Sequence, residues 1–335
     1  TCALPILSFL SVFVFCLLAT VALTAPTDFA RAARRFVREH DTKRSGWKAK
    51  AHPHFMGRTR SEMRKTLGWD QRAEHKAKRT QGTVIQKNLK YYDSLPANFT
   101  SQSKWPKCTT IDTIYDQGLC GSCWAFGATE SASDRLCIDS NGATNEILSF
   151  AQLNSCGSLF DGCNGGSAHE AWSYIEHFGL VSGACYPYYN MGYCPPKLQP
   201  CSHLPMKSAP PCWHNDSCVN SAKWTRQKAS GKYYIEGVSN IMQELVKNGP
   251  VESCFTVYSD FFHYHSGVYK ISQGAQPDGG HCVKIVGYGT QDGEDYWLVN
   301  NSWSAAWGLN GQFKILRGVD EAGIESDVMA GMMRA

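Results

Sequence analysis

The chain has 335 residues, 43% of them hydrophobic and 19% charged, so it can bury a sizeable core, which excludes a largely disordered protein. Its net charge of +4 conceals an asymmetry: residues 26–94 hold 18 Lys or Arg against 7 acidic residues, whereas residues 95–335 hold 15 against 22. The acidic body gives no support to nucleic-acid binding, and a basic segment ahead of it suggests that the first docks on the second.

The first residues predict export. Residues 1–25 carry no charge, are largely apolar and end in small residues, as a secretory signal peptide does. The apolar run is long for a signal core, so a membrane anchor is the alternative. Fifteen cysteines in an exported chain indicate a disulfide framework. Removing Cys2 and Cys16 with the signal leaves an odd number, so at least one thiol stays unpaired.

Residues 26–94 predict a separate segment. They are polar, basic and weakly patterned, with one helix-like stretch near Ala30 to Glu39. The composition changes sharply at Ser94 and Leu95. We therefore expect a propeptide over 26–94 and a mature domain over 95–335.

Helix signals dominate the first half of the mature domain. Small and apolar residues predict a helix over Ser122 to Cys137, and Ser167 with Glu170 forms a capping box ahead of another. Prolines and cysteines from Cys185 to Trp224 predict a long cross-linked loop region. A further short helix begins at Ser239.

Strand signals dominate the second half. Residues 251–258, 281–289, 295–303 and 311–318 are rich in β-branched and aromatic residues and are separated by Gly and Asp turns, which predicts an antiparallel sheet or barrel. The fold class is therefore α+β, with a helical lobe, a β lobe and a substrate cleft between them.

Four residues form a pattern typical of thiol catalysis. Cys123 begins a predicted helix, where backbone N–H groups and the helix dipole lower a thiol pKa and favour the thiolate. We expect an ion pair with His281, whose ring the Asn301 side-chain amide would orient. Gln117, six residues before the thiol, can offer a side-chain N–H to an oxyanion, together with the Cys123 backbone N–H.

At this point the chain resembles papain-family cysteine peptidases, in detail those of the cathepsin B type. The resemblance covers Leu95 to about Met332 and includes the segment Gln117 to Trp124, the cleft-wall motif Gly162-Cys-Asn-Gly-Gly166 and the carboxy-terminal AGIESDVMAG. The short pro-region with GWKA at 46–49 is similar to that of the same group. It implies a two-lobed papain-like fold and a zymogen of an endopeptidase that hydrolyses peptides through a thiol acyl-enzyme.

The resemblance also implies partners and a compartment. Peptide and protein substrates, the chain's own propeptide and cystatin-type inhibitors are expected to bind, and neither a cofactor nor a metal is expected, since no metal-ligand spacing survives inspection. The expected location is the secretory pathway, ending in a lysosome-like acidic compartment or outside the cell.

Two other functions fit parts of the pattern. Cys120-Gly-Ser-Cys123 is formally a CxxC pair, as in thioredoxin-like redox proteins, but the βαβ context of those proteins is absent. A binding protein on an inactive peptidase scaffold is the other alternative. The presence of all four catalytic residue types argues against it.

By resemblance, Gly165 and Gly166 would present backbone groups to an extended peptide, and Trp303 would shield the contact between histidine and asparagine from water. Asp327 lies where the family has an acidic residue at the floor of the pocket for the substrate's second residue on the amino side of the cut. A carboxylate there would pair with Arg and still tolerate an apolar side chain. Asp is shorter than the family's Glu.

The region from about 185 to 218 resembles the occluding loop, which gives cathepsin B its dipeptide-removing activity. The expected disulfide Cys201–Cys212 encloses His203, which would pair with Asp116. Leu204 replaces the family's second histidine, the residue that helps receive the substrate's terminal carboxylate.

A second clasp of that loop is lost, because Ala209 and Ala306 stand where the family has an Arg–Asp pair. The loop should therefore open more easily, which predicts an enzyme that is mainly an endopeptidase with weakened carboxydipeptidase activity.

The remaining cysteines are assigned only in part. The family pattern implies Cys108–Cys137 and Cys120–Cys163. Cys254 and Cys282 replace small residues in neighbouring predicted strands, and they either bond to each other or stay as buried thiols. The cysteines shared among unassigned pairs are Cys156, Cys185, Cys194 and Cys218.

A basic pro-segment on an acidic enzyme should hold at neutral pH and weaken as carboxylates protonate, which predicts activation in an acidic compartment. Asn98-Phe-Thr and Asn215-Asp-Ser are candidate glycosylation sites in an exported chain.

Overall fold

The structure is a computed structural model that describes residues 28–41, 46–80, 95–157, 162–188 and 217–334. The predicted signal, the processing boundary and most of the predicted loop region lie outside these residues. In the described part of the chain, no helix is both long and apolar enough to cross a membrane.

The helices of the described residues fall in two groups, those ahead of Leu95 and those of the body. The helices are α1 (Asp28–Asp41), α2 (Arg60–Arg64), α3 (Gln71–Thr80), α4 (Ser101–Lys104), α5 (Cys123–Asp139), α6 (Phe150–Cys156), α7 (Ala168–His177) and α8 (Val238–Asn248). Helix α5 is buried along nearly its whole length, which its small and apolar residues allow.

The strands form one twisted sheet. They are β1 (Trp47–Ala49), β2 (Phe99–Thr100), β3 (Ala229–Tyr234), β4 (Val251–Tyr258), β5 (Tyr264–Tyr269), β6 (Pro277–Gln291), β7 (Glu294–Asn300), β8 (Gln312–Leu316) and β9 (Asp327–Met333). Their order is β1-β5-β8-β7-β6-β4-β9-β3, with β2 paired to β6. All strand pairings are antiparallel except that of β5 with β8. The four strands predicted from the sequence are β4, β6, β7 and β8, and they pair antiparallel with one another as predicted.

Two hydrophobic clusters form the two lobes. One packs aromatic side chains of the sheet and its connections, among them Phe255 of β4, Phe261 and Trp307. The other joins α5 and α7 to the opposite end of the sheet through Trp172 and Met329. The predicted α+β class is confirmed, and the predicted helices and strands of the mature domain are present within a few residues.

The segment ahead of Leu95 is more structured than its polar composition indicates. Its strand β1 adds to the edge of the sheet beside β5, and the Trp47 indole is buried and donates to the Lys270 carbonyl at 2.9 Å. Helices α2 and α3 were not predicted, because their few apolar residues pack against the body and form no core of their own.

Candidate active site

Cys123 is the first residue of α5 and is completely buried. Its sulfur accepts a hydrogen bond from the backbone of Cys282, the residue after His281 on β6. This contact brings the start of the helical lobe's central helix against the strand that carries the histidine. Cys123 is the free cysteine of the described residues.

His281 is oriented from the far side by Asn301. The Nε2 atom of the ring lies 2.8 Å from Asn301 Oδ1, so Nδ1 is the nitrogen that remains for proton transfer with the thiol. The ring of Trp303 lies 4.7 Å from that of His281, centroid to centroid, and is wholly buried. Water is therefore kept from the contact between His281 and Asn301.

Gln117 is held with its amide group toward the thiol. Its Oε1 accepts a 2.6 Å hydrogen bond from the Ser302 hydroxyl. Its Nε2 donates to the Cys120 carbonyl at 2.7 Å and to the Thr66 carbonyl at 2.9 Å. The donor that sequence reasoning assigned to an oxyanion is thus occupied by a peptide carbonyl.

The Thr66 carbonyl belongs to the segment ahead of Leu95, and this segment crosses the site. Besides the Thr66 carbonyl on Gln117, the backbone N–H of Gly68 donates to Cys123 Sγ at 3.2 Å. A Cβ atom on Gly68 would lie 1.7 Å from the Gly121 carbonyl oxygen. Only a glycine lets this backbone approach the thiol so closely.

The same segment pairs with the glycines of the cleft wall. Gly166 N–H donates to the Gly68 carbonyl at 2.9 Å, and Asp70 N–H donates to the Gly166 carbonyl at 2.8 Å. The two bonds bracket Trp69, whose side chain is buried. Gly165, with a φ of 115°, forms the turn next to it. Of the two glycines predicted to bind an extended peptide, Gly166 pairs with this segment, whereas the Gly165 N–H donates to the Gly162 carbonyl at 3.4 Å.

Burial sets the protonation state of the catalytic pair in this form of the chain. It raises the pKa of Cys123 to about 11, although backbone hydrogen bonds oppose it. Burial also lowers the pKa of His281 to about 4, against the hydrogen bonds of Asn301 and Thr66. Both shifts favour a neutral thiol and imidazole while the segment covers the site, because burial disfavours the charged forms, and the thiolate–imidazolium pair stays a prediction for the uncovered site.

Asp327 lies at the start of β9 and is 3% exposed. Two cationic or protonatable side chains of α3 lie against it: His75 Nε2 is 3.2 Å and Lys78 Nζ 3.7 Å from its carboxylate oxygens. The carboxylate that was predicted to pair with a basic substrate side chain pairs here with basic side chains of the preceding segment.

Residues of the predicted occluding loop are only partly visible. His203, Leu204, Ala209 and the Cys201–Cys212 disulfide lie outside the described residues. Asp116, the predicted partner of the loop histidine, lies 3.7 Å from His54 Nδ1.

The profile of the papain family cysteine proteases matches residues 95–332. The chain belongs to the papain family of cysteine proteases. Cathepsin B of Dictyostelium discoideum is 46% identical over 250 residues, 73% of this chain and 78% of that protein. Cathepsin B-like cysteine proteinase 4 of Caenorhabditis elegans is 40% identical over 308 residues, 87% of this chain and 90% of that protein.

Solved structures of procathepsins are also similar to this chain. The structure of proCathepsin B S9 from Trypanosoma congolense matches with a TM-score of 0.77 at 31% identity, over 90% of this chain and 98% of that one. Procathepsin L 3 of Tenebrio molitor larval midgut shares the fold, with a TM-score of 0.68 at 21% identity. The chain is a cathepsin B-like cysteine peptidase of the papain family.

Disulfides tie this papain-family scaffold together near the site. Cys120–Cys163 links the loop before the thiol to the cleft wall, and Cys108–Cys137 holds the far end of α5. The remaining described pairs are Cys185–Cys218 and Cys254–Cys282.

The Cys254–Cys282 disulfide joins residues that face each other on β4 and β6. The sequence left this pair open between a bond and two buried thiols, and the structure contains the bond. The two sulfurs and Glu252 form a compact group, but the bond takes both sulfurs away from any metal.

Sequence reasoning missed the residues of the pro-region that occupy the papain-family cleft. Thr66, Gly68, Trp69 and Glu74 were not assigned, because the segment was interpreted by its charge alone. A Leu-Gly-Trp stretch inside a polar segment was the available signal, since an isolated glycine between apolar residues marks a close backbone approach.

Proposed function

We propose that the chain is the zymogen of a cysteine endopeptidase, with residues 26–94 as its inhibitory propeptide. Cys123 attacks the substrate carbonyl and forms an acyl-enzyme, which water then hydrolyses. His281 accepts the thiol proton and delivers it to the leaving amine, while Asn301 holds its ring. The Gln117 side chain and the Cys123 backbone N–H stabilise the oxyanion.

One observation carries this proposal: a peptide backbone lies across Cys123 with its Thr66 carbonyl on the Gln117 amide. The groups that hold this backbone are those a substrate would need, because they bind main-chain atoms and not particular side chains. The neutral catalytic pair beneath it supports an inhibited state of the same site.

The test is cleavage of fluorogenic dipeptide substrates at about pH 5.5 with a thiol reductant. Processed wild type should cleave them, and Cys123→Ala should abolish cleavage. Substrates with Arg and with Phe at the second position measure the role of Asp327, and Asp327→Ala should lower the Arg to Phe ratio. A correctly folded, processed wild type without activity would favour the inactive scaffold that binds peptides.

The balance between endopeptidase and carboxydipeptidase action follows from Leu204. An apolar side chain cannot donate to a substrate's terminal carboxylate, so substrates with a blocked carboxyl end should be preferred over matched free acids. Leu204→His should raise the relative cleavage of the free acids, because a protonated imidazole can bind that carboxylate. Equal cleavage of both substrate types by wild type would contradict the proposal.

We propose that the enzyme acts in an acidic compartment of the secretory pathway or outside the cell. The exposed Asn98 is available for glycosylation during export, whereas the buried Asn300 is not. Treatment of the secreted protein with an N-glycosidase, compared with Asn98→Gln, tests this by the change in mass.

A further inference from the structure

Glu74 of α3 is a carboxyl group from the pro-region that sits fully buried in the body. It is bound by three donors that converge on it. The backbone N–H of His169 donates to its Oε2 at 3.2 Å, the Ala168 N–H also donates to it, and the Tyr234 hydroxyl donates to its Oε1. We call these three donors, of Ala168, His169 and Tyr234, the Glu74 niche.

Helix α7 supplies two donors of the niche, because its first two backbone N–H groups, those of Ala168 and His169, have no partner within the helix. Ser167 caps the helix through the N–H of Glu170, and the Glu170 carboxylate returns to the Ser167 N–H. That capping box serves neither of the next two N–H groups, which an unassisted helix end leaves without partners. They bind Glu74 instead.

The register of the sheet places the niche beside the pocket of Asp327. Tyr234 faces Met329 across β3 and β9, and Asp327 lies two residues from Met329, so their side chains emerge on the same face. Cys254 faces Asp327 across β4 and β9, which puts the Cys254–Cys282 disulfide on that face too. Trp69, bracketed by the bonds to Gly166, belongs to the same buried cluster as Tyr234 and this disulfide.

The niche favours an uncharged oxygen-bearing group. Burial raises the pKa of Glu74 and the nearby Asp327 raises it further, against the hydrogen bonds of the three donors, so a second negative charge beside Asp327 is disfavoured here. The Glu252 carboxyl on the same face is also buried and has a pKa well above its usual range. A carboxamide offers the same oxygen acceptor without a charge and has N–H groups that can face Asp327.

We propose that, once the residues ahead of Leu95 are removed, the Glu74 niche becomes part of the pocket for the substrate's second residue and accepts the side-chain carboxamide of glutamine. Removal of Glu74 leaves its three donors without that partner, and a glutamine side chain supplies an oxygen of the same kind. This inference rests on the proposed peptidase function and adds glutamine to the basic and apolar residues expected there.

The first test compares cleavage of matched dipeptide substrates with Gln or Met at the second position, which are similar in length. Tyr234→Phe removes one donor of the niche and should lower the Gln to Met ratio of kcat/KM by about three- to tenfold, the range for one net hydrogen bond. Tyr233→Phe is the control, because that hydroxyl binds Glu244 and Arg135 away from the pocket. It should leave the ratio unchanged.

The second test uses the full zymogen and needs no activity. In a Cys123→Ala background, Glu74→Gln should keep the melting temperature, while Glu74→Met should lower it by about 2–4 °C. Equal melting temperatures of these two variants, or an unchanged Gln to Met ratio in Tyr234→Phe, would overturn the inference. If the processed wild type cleaves none of the substrates while the Glu74 variants show the expected difference in melting temperature, the peptidase function is refuted instead.

Discussion

Cys123 shows how far the state of one residue depends on what covers it. A cysteine at the start of a helix favours the thiolate, yet burial beneath the backbone of Thr66 to Trp69 raises its pKa to about 11. Burial lowers the pKa of His281 to about 4, the opposite direction. Both shifts favour the uncharged forms while the segment covers the pair, and we expect exposure to solvent to let the pair ionise.

Alkylation by iodoacetamide should report this difference at the residue scale. In the zymogen the rate at Cys123 should rise only at strongly alkaline pH, because only the thiolate reacts. In the processed enzyme the profile should extend to acidic pH. The midpoint of the profile is compared and not the absolute rate, since the covering segment also slows access. The same midpoint in both forms would show that the propeptide does not control the ionisation.

At the scale of elements, the pro-region is held by contacts of different kinds along its length. Strand β1 adds to the sheet edge, while Arg60 and Arg64 of α2 both lie 2.8 Å from the buried carboxylate of Asp278. The stretch after α2 carries the backbone through the cleft, and α3 then places Glu74 in its niche. The inhibitory stretch is thus fixed between two anchored helices.

Gly68→Ala should weaken this inhibition. Its Cβ would lie 1.7 Å from the Gly121 oxygen, so the backbone must move away from Cys123. Overpacking of this kind costs about 1–3 kcal/mol, which corresponds to faster autoprocessing by about 5- to 150-fold. The control is Lys76→Ala on the exposed side of α3. Processing of Gly68→Ala at the wild-type rate would show that this contact does not limit activation.

At the scale of the whole molecule, the pH dependence of docking comes from several groups with opposite signs. Protonation of carboxylates that form ion pairs with the basic pro-region would weaken docking, as the charge asymmetry of the sequence suggested. Glu74 acts the other way: its raised pKa means that the docked state binds the proton more tightly, so falling pH strengthens that contact. If acid activates the chain as predicted, other groups must outweigh the contribution of Glu74.

Buried histidines make docking less stable as the pH falls, which opposes the effect of Glu74. His52 of the pro-region lies between the carbonyls of Tyr264 and Ala306, and burial lowers its pKa to about 4. His263 of the body is buried beside it, with a pKa also lowered to about 4. The pKa of an undocked histidine is about 6.5, so between about pH 4 and 6.5 the undocked state binds more protons than the docked state. The docking stability from His52 is present above about pH 6.5 and is lost as pH falls towards about 4.

His52→Gln should move activation to lower pH, because the amide can donate to the same carbonyls and cannot be protonated. Autoprocessing rates measured across the acidic range give the midpoint. His177→Gln replaces an exposed histidine of α7 and serves as the control. An unchanged midpoint in His52→Gln would show that His52 does not contribute to acid activation.

The sequence by itself determined the family and the α+β class, and it singled out the candidate catalytic residues that the structure places together. Cys123 and Gln117 lie close together in the chain. His281 stands in strand β6 and Asn301 directly follows strand β7, each within a recognisable local pattern. The periodicity of the strands and the capping box of α7 were also sufficient, because they depend on neighbours in sequence.

Only the tertiary structure decided what occupies the site. The carbonyl of Thr66 on Gln117, the Cys254–Cys282 bond and the contact of Glu74 with Tyr234 join residues 28 to 160 positions apart. The segment that makes most of them has too few apolar residues to show a period of its own, because it packs on a surface formed by the rest of the chain. For the same reason the thiol's pKa could not be read from its place at a helix start, since burial by a distant segment outweighs the local dipole.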